Sequence, residues 1–167
     1  MKRIILLVLM LILFITPNTF TADGIVYENQ QYKFRITVPD GWQITEGKKA
    51  IVEINAPDDF PSMAFFADST AGYKITSDDI PQEIEDKIST RLVKDMTPMV
   101  LADQRHIKIS NHDALQILLI DDKTYYLTYF FFNEDRFFTI AAFGSISLLN
   151  KDHKNFKQII STFTFMD

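Results

Sequence analysis

The chain has 167 residues, 47% hydrophobic and 13% aromatic, with 17 Lys and Arg against 22 Asp and Glu and no Cys. A formal net charge of −5 repels phosphate backbones and excludes nucleic acid as a partner. The missing Cys excludes disulfides, thiolate metal sites, a Cys-attached lipid and thiol catalysis.

Lys2 and Arg3 precede an apolar run of 12 residues, Ile4 to Ile15, followed by Pro17 and a small polar stretch. That order is the order of a secretory signal. The run falls short of the roughly 20 residues of a spanning helix. Residues 1–22 are therefore expected to be a signal peptide, cleaved after Thr21 or Ala22. The cleavage site lacks a clean small-residue pattern, with Phe20 where a small side chain is preferred, so an uncleaved anchor stays open. Residues 23–167 form one domain, long enough to bury roughly 68–70% of its unfolded surface. Loss of Lys2 and Arg3 leaves 15 basic against 22 acidic residues, a net charge of −7. The destination expected is the periplasm or the cell exterior, with no stable membrane span after cleavage.

From Ile25 to Pro39, Tyr32, Phe34, Ile36 and Val38 alternate with Lys33, Arg35 and Thr37, which predicts a strand with one wet face. Glu28 to Gln31 is expected to turn an opening hairpin. Pro39-Asp40-Gly41 then reverses the chain and carries Trp42 back to cap the core. Ala50 to Ala56 and Met63 to Ala67 read as strands separated by Pro57-Asp58-Asp59-Phe60-Pro61, whose prolines forbid ladder bonds. From Asp79 the period changes. Ile80, Ile84, Ile88, Leu92 and Met96 recur every four residues, which predicts an amphipathic helix that starts near Asp79, Pro81 and Gln82 and stops at Pro98.

Three extended segments follow, at Leu101 to Ser110, at Ala114 to Ile120, and in an aromatic hairpin centred on Asn133 to Arg136. Asn111-His112-Asp113 and Asp121-Asp122-Lys123 are the expected turns. Leu148 to Ser161 reads as a second amphipathic helix, and Thr162 to Phe165 as a short closing strand. One face of the hairpin carries Tyr125, Leu127, Tyr129, Phe131, Phe138, Ile140 and Ala142. The other carries Tyr126, Thr128, Phe130, Phe132, Phe137, Thr139, Ala141 and Phe143. A strand pair apolar on both faces belongs in the middle of a covered sheet. The predicted fold class is α+β, an antiparallel sheet of seven or eight strands sandwiched between two helices, one on each face. An aromatic face left open as a groove is the alternative.

Tyr32-Lys33-Phe34-Arg35-Ile36-Thr37-Val38-Pro39-Asp40-Gly41-Trp42, the central helix, the aromatic hairpin and Phe156-Lys157-Gln158-Ile159-Ile160-Ser161-Thr162-Phe163 together resemble the PsbP-like superfamily, which includes bacterial exported proteins. The resemblance covers nearly all of residues 23–167 and rests on architectural residues. It implies an antiparallel sheet between helices and a binding or assembly role. Such roles in that superfamily range from photosystem subunits through a nuclear-import GTPase binder to chaperones of secreted effectors. It brings no shared catalytic set.

No catalytic, cofactor or metal site can be written from the residues. His106, His112 and His153 lack zinc spacing and read as surface residues. The pairs Asp58-Asp59, Asp78-Asp79 and Asp121-Asp122 sit at turns or helix starts and do not continue into a calcium loop. Gly144-Ser145-Ile146-Ser147 lacks the second glycine of a nucleophile elbow, so Ser145 or Ser147 is expected to cap the second helix. The five glycines cannot form a dinucleotide or phosphate loop. The function expected is an exported, non-enzymatic binding or assembly factor with no cofactor and a protein partner. The alternatives are a carrier or chaperone of an apolar ligand or segment on an aromatic sheet face, and an enzyme with a dispersed acid/base site.

Overall fold

A computed structural model of the chain describes residues 24–47, 49–57, 61–69, 80–133 and 136–166. The expected signal peptide, the pairs Asp58-Asp59 and Asp78-Asp79, and the helix start at Asp79 lie outside the described residues. The fold is α+β, with ten strands, two helices and antiparallel pairing throughout among the described residues.

Strands β1 (Gly24–Asn29) and β2 (Phe34–Pro39) form the opening hairpin. Phe34, Ile36 and Val38 are all buried, as their alternation requires. The turn falls two residues later than expected, over 30–33, because Asn29 still pairs with Phe34 and Lys33 takes the positive φ of 50°. At the next reversal Gly41 has a φ of 83°, which glycine adopts without a Cβ penalty, and the Trp42 N–H donates to the Pro39 carbonyl at 3.2 Å. Trp42 lands edge-on against Phe156, ring centroids 6.3 Å apart, and so covers the core as its turn predicted.

Strands β3 (Gln43–Glu46), β4 (Val52–Asn55) and β5 (Ser62–Ser69) follow. Helix α1 (Gln82–Asp95) comes next, then the four long strands β6 (Val100–Ile109), β7 (His112–Ile120), β8 (Thr124–Asn133) and β9 (Arg136–Ser145). A single 3-10 turn, Ile146–Leu148, leads into helix α2 (Leu149–Ser161), and the two-residue strand β10 (Thr164–Phe165) closes the described chain. The single sheet expected is in fact two. Seven strands run in the order β3-β4-β5-β9-β8-β7-β6, and β1-β2-β10 form a separate sheet of three.

The hairpin of β8 and β9 lies inside the larger sheet, and its two faces belong to two separate apolar clusters. Tyr125, Leu127, Tyr129, Phe131, Phe138, Ile140 and Ala142 pack with Phe34, Ile36 and Val38 of β2 and with Phe156, Ile159 and Ile160 of α2. Phe130 and Phe132 pack with Leu115, Ile117 and Leu119 of β7 and with Ile84, Ile88 and Leu92 of α1. One aromatic face is therefore covered jointly by a helix and the small sheet, where a helix alone had been expected. The reason is that β10 returns to β2, pairing Phe165 with Phe34 and placing Phe163 between Phe34, Phe65 and Phe131.

Two turn assignments also change. The β6–β7 reversal is a two-residue turn at Ser110 and Asn111, both with positive φ (49° and 68°), so His112 and Asp113 already belong to β7. The hydroxyls of Ser145 and Ser147 do not cap α2. They bond each other at 2.9 Å, because the intervening 3-10 turn moves the N-cap position to Leu148.

Candidate functional site

The hairpin rings are spent on packing: Tyr125 and Phe131 are 0% exposed, Tyr129 and Phe138 2%, Phe132 4% and Phe130 7%. Tyr126, Phe137 and Phe143 are half-buried against the α1 cluster. A concave feature with converging polar groups lies elsewhere, between α2 and the β6 edge of the large sheet, and is one of several concavities among the described residues. Its volume is about 520 Å³, and Arg105, Lys108, His153, Lys154 and Lys157 are among its lining residues.

Register builds the strand side of this cleft. Val52, Phe65, Ile140, Tyr129, Gln116 and Arg105 stand opposite one another in one row across β4, β5, β9, β8, β7 and β6. Directly opposed residues share a face, so the row passes from apolar at the sheet centre to phenol, amide and guanidinium at its edge. Gln116 is 4% and Tyr129 2% exposed, so the floor is polar at its tips and otherwise buried. Asp103 and Arg105 are two residues apart in the regular part of β6, beyond the bulge at Leu101/Asp103, and so share a face. One Asp103 oxygen then accepts from Arg105 Nε at 2.7 Å and from Gln116 Nε2 at 3.5 Å.

Helical spacing builds the other side. Asn150, His153, Lys154, Lys157 and Ile160 fall at intervals of three and four residues, a single face of α2 turned toward β6. His153 is pushed below the ordinary imidazole range first by burial, then by the charges of Arg105 and Lys157, with Asp103 opposing. Burial pushes the Tyr129 phenol up, with Arg105 pulling the other way. The lining residues include no carboxylate. Asp103 beside Arg105 and Asp113, 2.8 Å from Lys108, are the acids at its margin.

The three histidines are not equivalent surface residues. His153 lies in the cleft, His112 packs edge-on against Phe165 at 5.0 Å, and His106 Nε2 lies 3.0 Å from an oxygen of Glu85, a carboxylate of α1 that is 4% exposed. Among the described residues, no three His, Asp or Glu side chains gather as a metal cage would need. Asp121 instead closes the β7–β8 turn, accepting from the N–H groups of Lys123 and Thr124, which hold its carboxyl below the usual range. A buried polar pair stands apart from the cleft. The Tyr125 hydroxyl donates to Asp152 Oδ2 at 2.9 Å, and Asp152 is 1% exposed. Burial raises the Asp152 carboxyl above its ordinary range, against the Tyr125 bond and Lys151.

Sequence reasoning missed the cleft. Lys154 and Lys157 were visible as a polar helix face, but Arg105 and Gln116 join them only through strand register.

No family model and no curated protein matches the chain. Solved structures do, and the chain has a PsbP-like fold. It is similar to the cyanobacterial PsbP (CyanoP) of Synechocystis sp. PCC 6803, with TM-score 0.66, 11% identity, and coverage of 89% of this chain and 95% of that one. It is also similar to LpqN of Mycobacterium tuberculosis, a protein involved in cell envelope biogenesis, with TM-score 0.58, 14% identity, and coverage of 86% and 90%. A structure from Bacteroides thetaiotaomicron matches with TM-score 0.50 and 16% identity over 86% of this chain, which spans about half (49%) of that one. Among the described residues, no helix is long and apolar enough to cross a membrane.

Proposed function

We propose that the protein is an exported, non-enzymatic binding module that takes its partner at the cleft between α2 and the β6 edge. Its architecture is read as three layers: α1, the seven-stranded sheet, and α2 together with the small sheet. The observation that carries the reading is the convergence of Arg105, Lys154 and Lys157 from two elements on one cleft, beside hairpin rings that are themselves buried. An apolar carrier would need one of those faces open. Export rests on the charge, apolar and polar order of residues 1–22, and involvement of the structurally similar LpqN in cell envelope biogenesis is consistent with it.

The test is capture of envelope components on the purified protein, run in parallel with an Arg105→Glu, Lys157→Glu variant and followed by identification of proteins and small molecules. Material retained by the wild type and lost from the folded variant supports the reading. Retention unaffected by the substitutions defeats it. Fractionation of cells carrying a C-terminally tagged chain tests export, and a cytoplasmic pool of full-length protein would contradict it. An acid/base enzyme is the second reading, favoured by His153, an imidazole held toward its neutral form beside Arg105 and Tyr129.

A further inference from the structure

Lysines on a helix face are ordinarily a solvated surface, and each would be expected to point its charge into water. Lys154, Lys157 and Arg105 are indeed exposed, but their arrangement differs from an ordinary helix face in three respects. Lys154 and Lys157 meet a guanidinium carried by another element, Arg105 of β6, across a cleft of about 520 Å³. They do so in a chain whose net charge is −5. Beneath them the floor offers neutral polar groups, the Gln116 amide and the Tyr129 hydroxyl, whose side chains are almost wholly buried. Like charges held together at a concave surface repel, and a fold that concentrates them gains when an anion enters.

From this we infer that the cleft binds a phosphoryl group, carried either by a soluble phosphorylated molecule or by an anionic lipid headgroup. The inference rests on the binding-module reading and names what that module holds. Arg105 is anchored through Nε on Asp103, and a guanidinium has four further N–H donors, a planar fork suited to two phosphoryl oxygens. Lys154 and Lys157, one helical turn apart, supply point charges from the opposite wall. A volume of about 520 Å³ also leaves room for the organic group that the phosphoryl carries.

His153 links binding to protons. It faces Arg105 and Asp103 from β6 and Lys157 on its own helix, and both cations disfavour its charged form. A bound dianion offsets them, so the imidazole takes up a proton on binding. Affinity should therefore rise as pH falls through and below the ordinary His value of about 6.5.

The experiment is titration calorimetry of the purified protein with pyrophosphate, and co-sedimentation with phosphatidylglycerol vesicles against phosphatidylcholine vesicles. The wild type is expected to bind at least one probe saturably. Arg105→Gln with Lys157→Gln should weaken that binding about tenfold or more, as loss of charge-assisted bonds requires. Lys94→Gln, on α1, should leave it unchanged. His153→Gln serves as a second variant: it retains binding at pH 8 and loses the extra affinity at pH 6. Reading pH dependence as the difference from wild type cancels the titration of the probe itself. Pyrophosphate binding without vesicle binding assigns a soluble source. Vesicle binding that pyrophosphate competes away assigns a headgroup. No saturable binding of either probe overturns the inference, as does binding equally strong in the folded double variant. If capture from the envelope still depends on Arg105 and Lys157 in that event, the binding-module reading survives and only the ligand class falls.

Discussion

Replacing Tyr125 by Phe removes one oxygen and leaves the ring in place, which isolates the buried bond to Asp152. The ring is 0% exposed and Asp152 1%, so water does not readily replace the lost donor. A hydrogen bond to a charged group contributes about 1.5–3 kcal/mol, and the unpaired buried carboxylate sets the cost near that range. At ~2–4 °C per kcal/mol for a domain of this size, the midpoint of thermal unfolding should fall by about 3–12 °C at pH 7.

The pH dependence is the sharper part of this prediction. Burial raises the Asp152 carboxyl above its unfolded value, so its contribution to stability is greatest below about pH 4 and is lost as pH rises through the folded value. In the variant the folded value moves further up, because the Tyr125 bond that lowers it has gone. Wild type and variant should therefore converge on acidification, toward a difference of about 0.5–1.5 kcal/mol, the size of a neutral hydrogen bond. The assay is urea denaturation of both proteins from pH 7 down to pH 4. A difference that stays constant across this range, or one under about 0.5 kcal/mol at pH 7, would refute the reasoning.

Gly144→Ala should destabilise by about 1–3 kcal/mol in the same assay, because Gly144 pairs with Tyr125 and an added Cβ would run into the Tyr125 ring. Phe131→Ala should cost about 3–5 kcal/mol by denaturant midpoint, since the ring is 0% exposed, whereas Val26→Ala on the 58% exposed face of β1 should stay within about 0.5 kcal/mol. His106→Ala should destabilise by about 1–3 kcal/mol by stranding the buried Glu85 carboxylate, and a further Glu85→Leu should recover most of that loss, a coupling that a double-mutant cycle reads directly.

The hairpin faces were legible in the sequence because strand side chains alternate strictly. Writing Tyr125, Leu127, Tyr129 and Phe131 on one side and Phe130 and Phe132 on the other already divides them between the two clusters. The stripe of Ile84, Ile88 and Leu92 likewise identified the face of α1 that packs half-buried on the sheet, although Glu85, which its spacing puts with the polar side, is the residue of that helix that is fully buried. Gln43–Glu46 went unread because its four residues carry one apolar side chain and owe their extended form to pairing with β4. The cleft was illegible for a related reason: Arg105 and His153 are far apart in the chain, and neither carries a local motif.

Local periodicity alone, then, determined most of the elements, their apolar faces and the burial of the aromatic hairpin, since these depend on where successive side chains point. Only the tertiary structure decided the partners of those elements. The return of Phe165 to Phe34 divided the strands into two sheets, and the row through Tyr129, Gln116 and Arg105 brought a guanidinium beneath the lysines of α2. Pairings over such separations are set by competition among whole packings, which no short window of sequence contains.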